Sequence, residues 1–291
     1  MKPAPFEYHA PTTAREAVEL LAELGDGAKA IAGGQSLMPM LILRLAVFDH
    51  LVDLRHLDEL RGIETRGDSV RIGAGTTHSA VGRSAEIRSA VPLLSRATPH
   101  IGHLQIRNRG TIGGSIAHAD AAGEYPAVAL TLDADFEALS PRGRRTIPAA
   151  DFFTGMWSTA LTEDELLTGV VFPRWEGRFG CAIEEFARRR GDFAIAGAAV
   201  AVGLDADSRV GRSAIGLFGV GPTAIRARTA EHEVIGCAAS EISAENVGRA
   251  AVAELGQVPS DLHGSAEFRR HVAAVMVAHA WQRALEEALD D

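Results

Sequence analysis

The order of secondary-structure signals predicts an α+β protein with more than one domain. Two observations carry this. After a break at residues 175–178, three strand-like segments are followed by three helical ones, an order that fits α+β better than an alternating parallel sheet. The chain is also long, at 291 residues, and suits two or three small domains better than one core.

Element by element, Thr13 and Glu16 form a capping box, and Ala17, Leu20, Leu21 and Leu24 give the helical stripe behind it. Gly25 ends that helix. Residues 28–32 read as a short buried strand and 51–54 as another, so the first fifty residues predict strand–helix–strand. Residues 63–73 alternate about Arg66-Gly67-Asp68, a hairpin. Residues 77–100 read as helix, broken at Pro92 and Pro99. A glycine-containing loop follows, then a helix at 121–132 and a hairpin at 136–147 turning at Pro141-Arg142-Gly143. A strand at 166–172 closes at Pro173. Beyond the break come strands at 181–188, 198–204 and 213–220, with a tight turn at 205–209. Helices are expected at 229–235, 243–254 and 265–288, the last with Phe268, Val272, Val275 and His279 on one face.

Composition excludes several functions. The net charge is −9, and an acidic surface repels phosphate backbones, so nucleic-acid binding is not expected. Arg188-Arg189-Arg190 is too short a cluster to reverse that. No apolar run reaches membrane-spanning length and the N-terminus has no signal-peptide core. Cys181 and Cys237 are the only cysteines. They cannot supply a four-thiolate iron–sulfur or zinc site, and their scarcity points to a reducing, cytoplasmic compartment. Lys2 and Lys29 are the only lysines; neither follows a glycine, which removes the P-loop.

Two paired-glycine segments are the strongest site candidates, Gly33-Gly34 followed by Gln35 and Ser36, and Gly113-Gly114 followed by Ser115. Glycine lets a backbone N–H approach an oxyanion and permits φ > 0. Successive N–H groups can form an anion-binding nest, and two such loops can clamp a pyrophosphate. Gly219-Val220-Gly221-Pro222-Thr223-Ala224 fits a dinucleotide fingerprint, but it follows hairpin strands and carries a proline, so a turn is the better reading. His100, His103, His118 and Asp120 lie close in sequence, yet without helical ligand spacing. Structural or cofactor-neighbour roles outweigh a metal there. No G-x-S-x-G elbow is present.

The segments AGGQSLMPMLILRLA (32–46) and QIRNRGTIGGSIAHADAAGE (105–124) resemble the two flavin-binding signatures of the FAD-binding medium subunit of molybdenum hydroxylases, the carbon monoxide dehydrogenase and xanthine dehydrogenase family. Asp151-Phe152-Phe153-Thr154-Gly155, Glu165-Leu166-Leu167, Gly191-Asp192-Phe193-Ala194 and Gly219-Val220-Gly221-Pro222 follow in the family's order, so the resemblance spans nearly the whole chain. It implies a two-lobed FAD-binding domain of the vanillyl-alcohol-oxidase (PCMH) type at 1–176, with lobes of about 1–55 and 56–176. A C-terminal domain at 177–291 would hold a three-stranded antiparallel sheet and a helical bundle.

By the same resemblance, noncovalent FAD would lie between the glycine loops. Ala32, Gly33, Gly34, Gln35 and Ser36, with Thr111, Ile112, Gly113, Gly114 and Ser115, would line its pyrophosphate and ribityl chain. Glu124 would accept a hydrogen bond from the cofactor, where relatives often carry Asp. Ile101 and Leu167 would pack near the flavin. Ser115 stands where Asn is frequent, and Glu185 where some relatives have Lys, so Glu185 is not counted in the site.

No catalytic or metal-binding residue is expected. The implied partners are a small subunit with two [2Fe–2S] clusters and a large molybdopterin subunit, in a dimer of heterotrimers. Electrons would leave through FAD to an external acceptor. Carbon monoxide, a purine, an aromatic heterocycle or an aldehyde all fit as the large subunit's substrate. The alternative is a self-contained flavin oxidase of the same fold. Such oxidases are typically longer and often tether FAD through a histidine, where this loop has Gln35.

Overall fold

The computed structural model describes residues 2–290. The N-terminal lobe contains β1 (Glu7–His9), α1 (Ala14–Leu24), β2 (Ala28–Ile31), α2 (Leu37–Ile42) and β3 (His50–Asp53). Its sheet has the order β1-β3-β2, with both pairs parallel. Helix α1 starts where predicted, because the Thr13 side chain accepts the Glu16 N–H while Glu16 accepts the Thr12 N–H.

The middle lobe begins with the hairpin β4 (Ile63–Arg66) and β5 (Ser69–Gly73). Six helices follow: α3 (His78–Arg83), α4 (Ala85–Ala90), α5 (Pro92–Ala97), α6 (Leu104–Arg107), α7 (Ile112–His118) and α8 (Glu124–Thr131). The lobe is completed by β6 (Asp135–Ser140), β7 (Gly143–Pro148), α9 (Ala149–Phe152), the small hairpin β8 (Phe153–Gly155) and β9 (Ser158–Thr159), and β10 (Leu166–Pro173). Its antiparallel sheet has the order β4-β5-β10-β6-β7.

In the C-terminal region, β11 (Phe179–Phe186), β12 (Ala196–Leu204) and β13 (Val210–Phe218) form the expected antiparallel sheet. A two-residue strand, β14 (Ile225–Arg226), extends it to four. Helices α10 (Arg228–Val234), α11 (Ala244–Ala253) and α12 (Ala266–Asp290) follow.

The sheet is buried on both faces. Ala199, Ala201, Ala214 and Phe218 join the core of the middle lobe, while Ala198, Val200, Val202, Ile215 and Leu217 pack in the core shared with α12. Strand alternation sends neighbours to opposite cores.

Three expectations change. The 77–100 helix is three short helices, because Ser84 caps a new one as well as Pro92 opening another. The second glycine stretch is not a loop: α7 begins at Ile112, capped by Thr111. The buried face of α12 includes Val272, Ala273, Val277, Ala280, Trp281, Ala284 and Ala288, whereas Phe268 and His279 are exposed. Alanines carry that stripe because the helix lies close against the sheet, and bulk-weighted periodicity passes over them.

Candidate functional site

The first glycine loop joins β2 to α2 at one end of the parallel sheet. Gly34 has φ +71°, a left-handed conformation that glycine adopts without strain. Gln35 Nε2 donates to the Gly33 carbonyl at 3.1 Å and closes the turn. Among the described residues, none of the backbone N–H groups of Gly33, Gly34, Gln35 and Ser36 donates a hydrogen bond. All four residues are partly exposed. This loop therefore presents successive unused donors, as an anion nest requires.

The second glycine pair works differently. The Gly113 N–H donates to Ala74 O at 2.9 Å, and the Gly114 N–H to Thr111 Oγ1 at 3.0 Å. The Ile112 N–H is taken by Thr76 O and the Ser115 N–H by Thr111 O. These donors are used by the fold, so the second segment is not a nest in its own right. A Cβ on Gly113 would lie 2.7 Å from Ala74 O, which explains that glycine by close packing.

The two segments nevertheless meet. A Cβ on Gly33 would lie 2.7 Å from both Arg109 C and Gly110 Cα, and one on Gly114 would lie 3.7 Å from Ala32 Cβ. The two glycine segments, one from each lobe, are therefore in contact.

Ser115 is the polar group that the second segment offers. His78 Nε2 lies 2.9 Å from Thr111 O and 3.1 Å from Ser115 Oγ. A carbonyl only accepts, so Nε2 carries the proton. Burial pushes the His78 pKa down to about 4, so the ring is neutral and its Nδ1 is buried with no partner among the described residues. Ser115 Oγ thus accepts from His78, and its own O–H has no acceptor among the described residues.

A second polar group sits at the junction with the C-terminal sheet. Glu124, at the start of α8, is buried, and burial pushes its pKa up to about 8, with the nearby Glu185 charge adding to the shift. Its carboxyl is thus largely protonated at neutral pH and can donate as well as accept. Glu185 Oε1 lies 3.1 Å from His100 Nδ1, and this contact raises the His100 pKa. The other oxygen, Glu185 Oε2, is buried with no partner among the described residues. Sequence reasoning set Glu185 aside. Alternation along β11 would have flagged it, because Cys181 and Ile183 of the same face lie in the middle-lobe core.

The remaining expected residues are supporting rather than exposed. Ile101, Ile112 and Leu167 are buried in the middle-lobe core, and Thr111 and Gly113 are buried with the start of α7. The histidine cluster does not assemble as a metal site. His100 pairs with Glu185, while His118 Nε2 is 3.9 Å from Asp120 Oδ2 and its ring stacks on Trp157. The fingerprint-like segment from Gly219 is a turn leading into β14, as expected.

Comparisons with known proteins decide the family. Residues 4–175 match the FAD binding domain in molybdopterin dehydrogenase, and residues 182–284 match the CO dehydrogenase flavoprotein C-terminal domain. The chain belongs to the FAD-binding subunits of the molybdenum hydroxylases.

It is 42% identical to the 6-hydroxypseudooxynicotine dehydrogenase complex subunit alpha of Paenarthrobacter nicotinovorans, over 99% of this chain and 97% of that protein. It is 39% identical to the carbon monoxide dehydrogenase medium chain of Hydrogenophaga pseudoflava, over 96% of this chain and 97% of that one. Among solved structures, carbon monoxide dehydrogenase from Hydrogenophaga pseudoflava lacking the Mo-pyranopterin moiety superposes with a TM-score of 0.95. The identity there is 40%, covering 99% of each chain. The flavoprotein is thus an oxidoreductase subunit, with a fold shared across its whole length.

Proposed function

We propose that this chain takes electrons from the [2Fe–2S] clusters of a small partner subunit and passes them through noncovalent FAD to an external acceptor. The molybdopterin and the substrate chemistry belong to a large partner subunit, and the assembly is a dimer of heterotrimers in the cytoplasm. The observation that carries the cofactor assignment is the set of unused N–H groups at residues 33–36, on a loop that touches the second glycine segment from the other lobe. Bound FAD supplies a centre that accepts and releases electrons.

In this reading, Ala32 leads into the loop and Gly33 to Ser36 hold the pyrophosphate through backbone N–H groups. Ser115 donates from the opposite lobe, and Thr111, Ile112, Gly113 and Gly114 set the position of that hydroxyl. Ile101 and Leu167 form an apolar wall that excludes water. Glu124 offers a mostly neutral carboxyl to the cofactor. In the same reading the FAD domain spans 1–176 and the C-terminal domain 177–291.

The chain cannot relay electrons through clusters of its own. Cys181 is buried and its thiol is pushed up to about 12, and Cys237 is the only other cysteine. No helix among the described residues is long and apolar enough to cross a membrane.

The test is anaerobic reduction in the purified complex, followed by flavin absorbance. Substrate should bleach the flavin only when the iron–sulfur subunit is present, and acid should release FAD stoichiometrically. Reduction of the isolated chain by an organic substrate would instead establish a self-contained oxidase. Flavin retained after denaturation would overturn noncovalent binding.

A further inference from the structure

We propose that Glu7, His9 and His50 form a binding site for one divalent transition-metal ion of the zinc type, on the N-terminal sheet and separate from the cofactor cleft. The site arises from parallel pairing. Glu7 is the register partner of His50 across β1 and β3, so their side chains leave the same face. His9, two residues further along β1, shares that face. His9 Nε2 lies 3.2 Å from His50 Nδ1, and His50 Nδ1 lies 3.3 Å from Glu7 Oε2. One ligand atom from each of the three falls within 4.8 Å of the others.

Two of the three separations already match coordination, and the third needs at most a side-chain adjustment. A tetrahedral zinc with bonds of about 2.0–2.1 Å holds neighbouring donors about 3.3 Å apart. Two imidazole nitrogens and one carboxylate oxygen are a borderline ligand set suited to Zn2+, with the fourth position open to water. The site is reachable, since the Glu7 side chain is 75% exposed and that of His50 23%. It is remote from the glycine loop. His50 pairs with Ala28 at the start of β2, and the loop begins four residues later, about 13 Å along the strand.

Without a cation, Glu7 Oε2 and His9 Nε2 both lie against His50 Nδ1, a single ring nitrogen with at most one proton to share between them. Metal binding would replace that arrangement and tie the three-residue β1 to the central strand β3.

The test uses the full chain without a histidine tag, stripped with EDTA and desalted, and titrated with Zn2+ by calorimetry. Co2+ serves as a parallel visible-absorbance probe. One saturable Zn2+ per chain is expected, with a rise in melting temperature. Affinity should fall at least about tenfold in His9→Ala and His50→Ala, less in Glu7→Gln, and not in the exposed control His263→Ala. His9→Ala, at a strand end, keeps the result readable if His50→Ala disturbs the sheet; circular dichroism checks the fold of each. Absence of saturable binding, or an unchanged titration in the His9→Ala/His50→Ala double variant, would overturn the site and leave the His9–His50 and Glu7–His50 contacts as its account.

Discussion

Substituting Gly33 by alanine tests whether contact between the lobes supports cofactor binding. The added Cβ would sit 2.7 Å from Arg109 C and from Gly110 Cα. Non-bonded carbons need about 3.5 Å, so the two segments must part by about 0.8 Å. Both obstacles are backbone, and neither can rotate away as a side chain would. Overpacking of this kind costs about 1–3 kcal/mol.

If FAD requires the lobes in contact, that cost appears in its binding, as about a 5–150-fold weaker affinity. If the contact only stabilises the fold, the cost appears in unfolding and FAD affinity is kept. Flavin-stripped protein titrated with FAD by fluorescence, beside a urea melt of the same sample, separates the two. Gly256→Ala is the control, because a Cβ there meets nothing within 4 Å. Equal FAD affinity and equal stability in Gly33→Ala and the parent would refute the lobe contact itself.

Three further outcomes are expected. Glu124→Gln should relieve a pH-dependent cost: because the folded pKa of about 8 lies above the ordinary 4.5, the parent flavin-free protein loses stability as pH rises from about 4.5 to 8, by at most about 5 kcal/mol, and urea midpoints across that range should converge on a flatter profile in the variant. Glu185→Gln should lower the His100 pKa, seen by NMR titration. The parent's advantage from this pair should be full below pH 6.5 and disappear as pH rises through the raised His100 value. Glu231→Ala should destabilise by about 3–5 kcal/mol in urea, since it removes the buried partner of Arg226 and the acceptor of the Ile215 N–H at 2.7 Å. Arg226 keeps Leu130 O and Asp133, which favours the lower end.

Much of the architecture was legible because local signals decide it. The Thr13 cap, the Arg66-Gly67-Asp68 turn and the 205–209 turn each act within a few residues and form as read, with Glu16 reaching back to the Thr12 N–H rather than that of Thr13. The glycine pairs were legible only as glycines. A sequence cannot tell whether a missing Cβ makes room for a ligand or for the protein's own backbone. At Gly113 the neighbour is Ala74, 39 positions earlier, and at Gly33 it is Arg109. The α12 face was misread because a helix held close to a sheet selects alanine, which weighs little in a hydrophobic pattern. His50 gave no signal beside Glu7 because parallel pairing joins residues far apart in sequence.

The position of Glu185 follows from the two-faced sheet. Strand β11 has Cys181 and Ile183 in the middle-lobe core, while Ala182 packs toward α12 and Glu184 meets Arg283 of that helix. Period-two alternation then leaves Glu185 no choice of side. It emerges at the end of the buried face, where the apolar run stops and His100 of the FAD domain is within reach. A carboxylate one residue away, as Glu184 shows, is held on the other face by Arg283. The C-terminal domain therefore does more than cover the middle lobe. Its sheet register carries one ionisable side chain to the lobe's edge, beside Glu124, and leaves one oxygen of that side chain unpartnered.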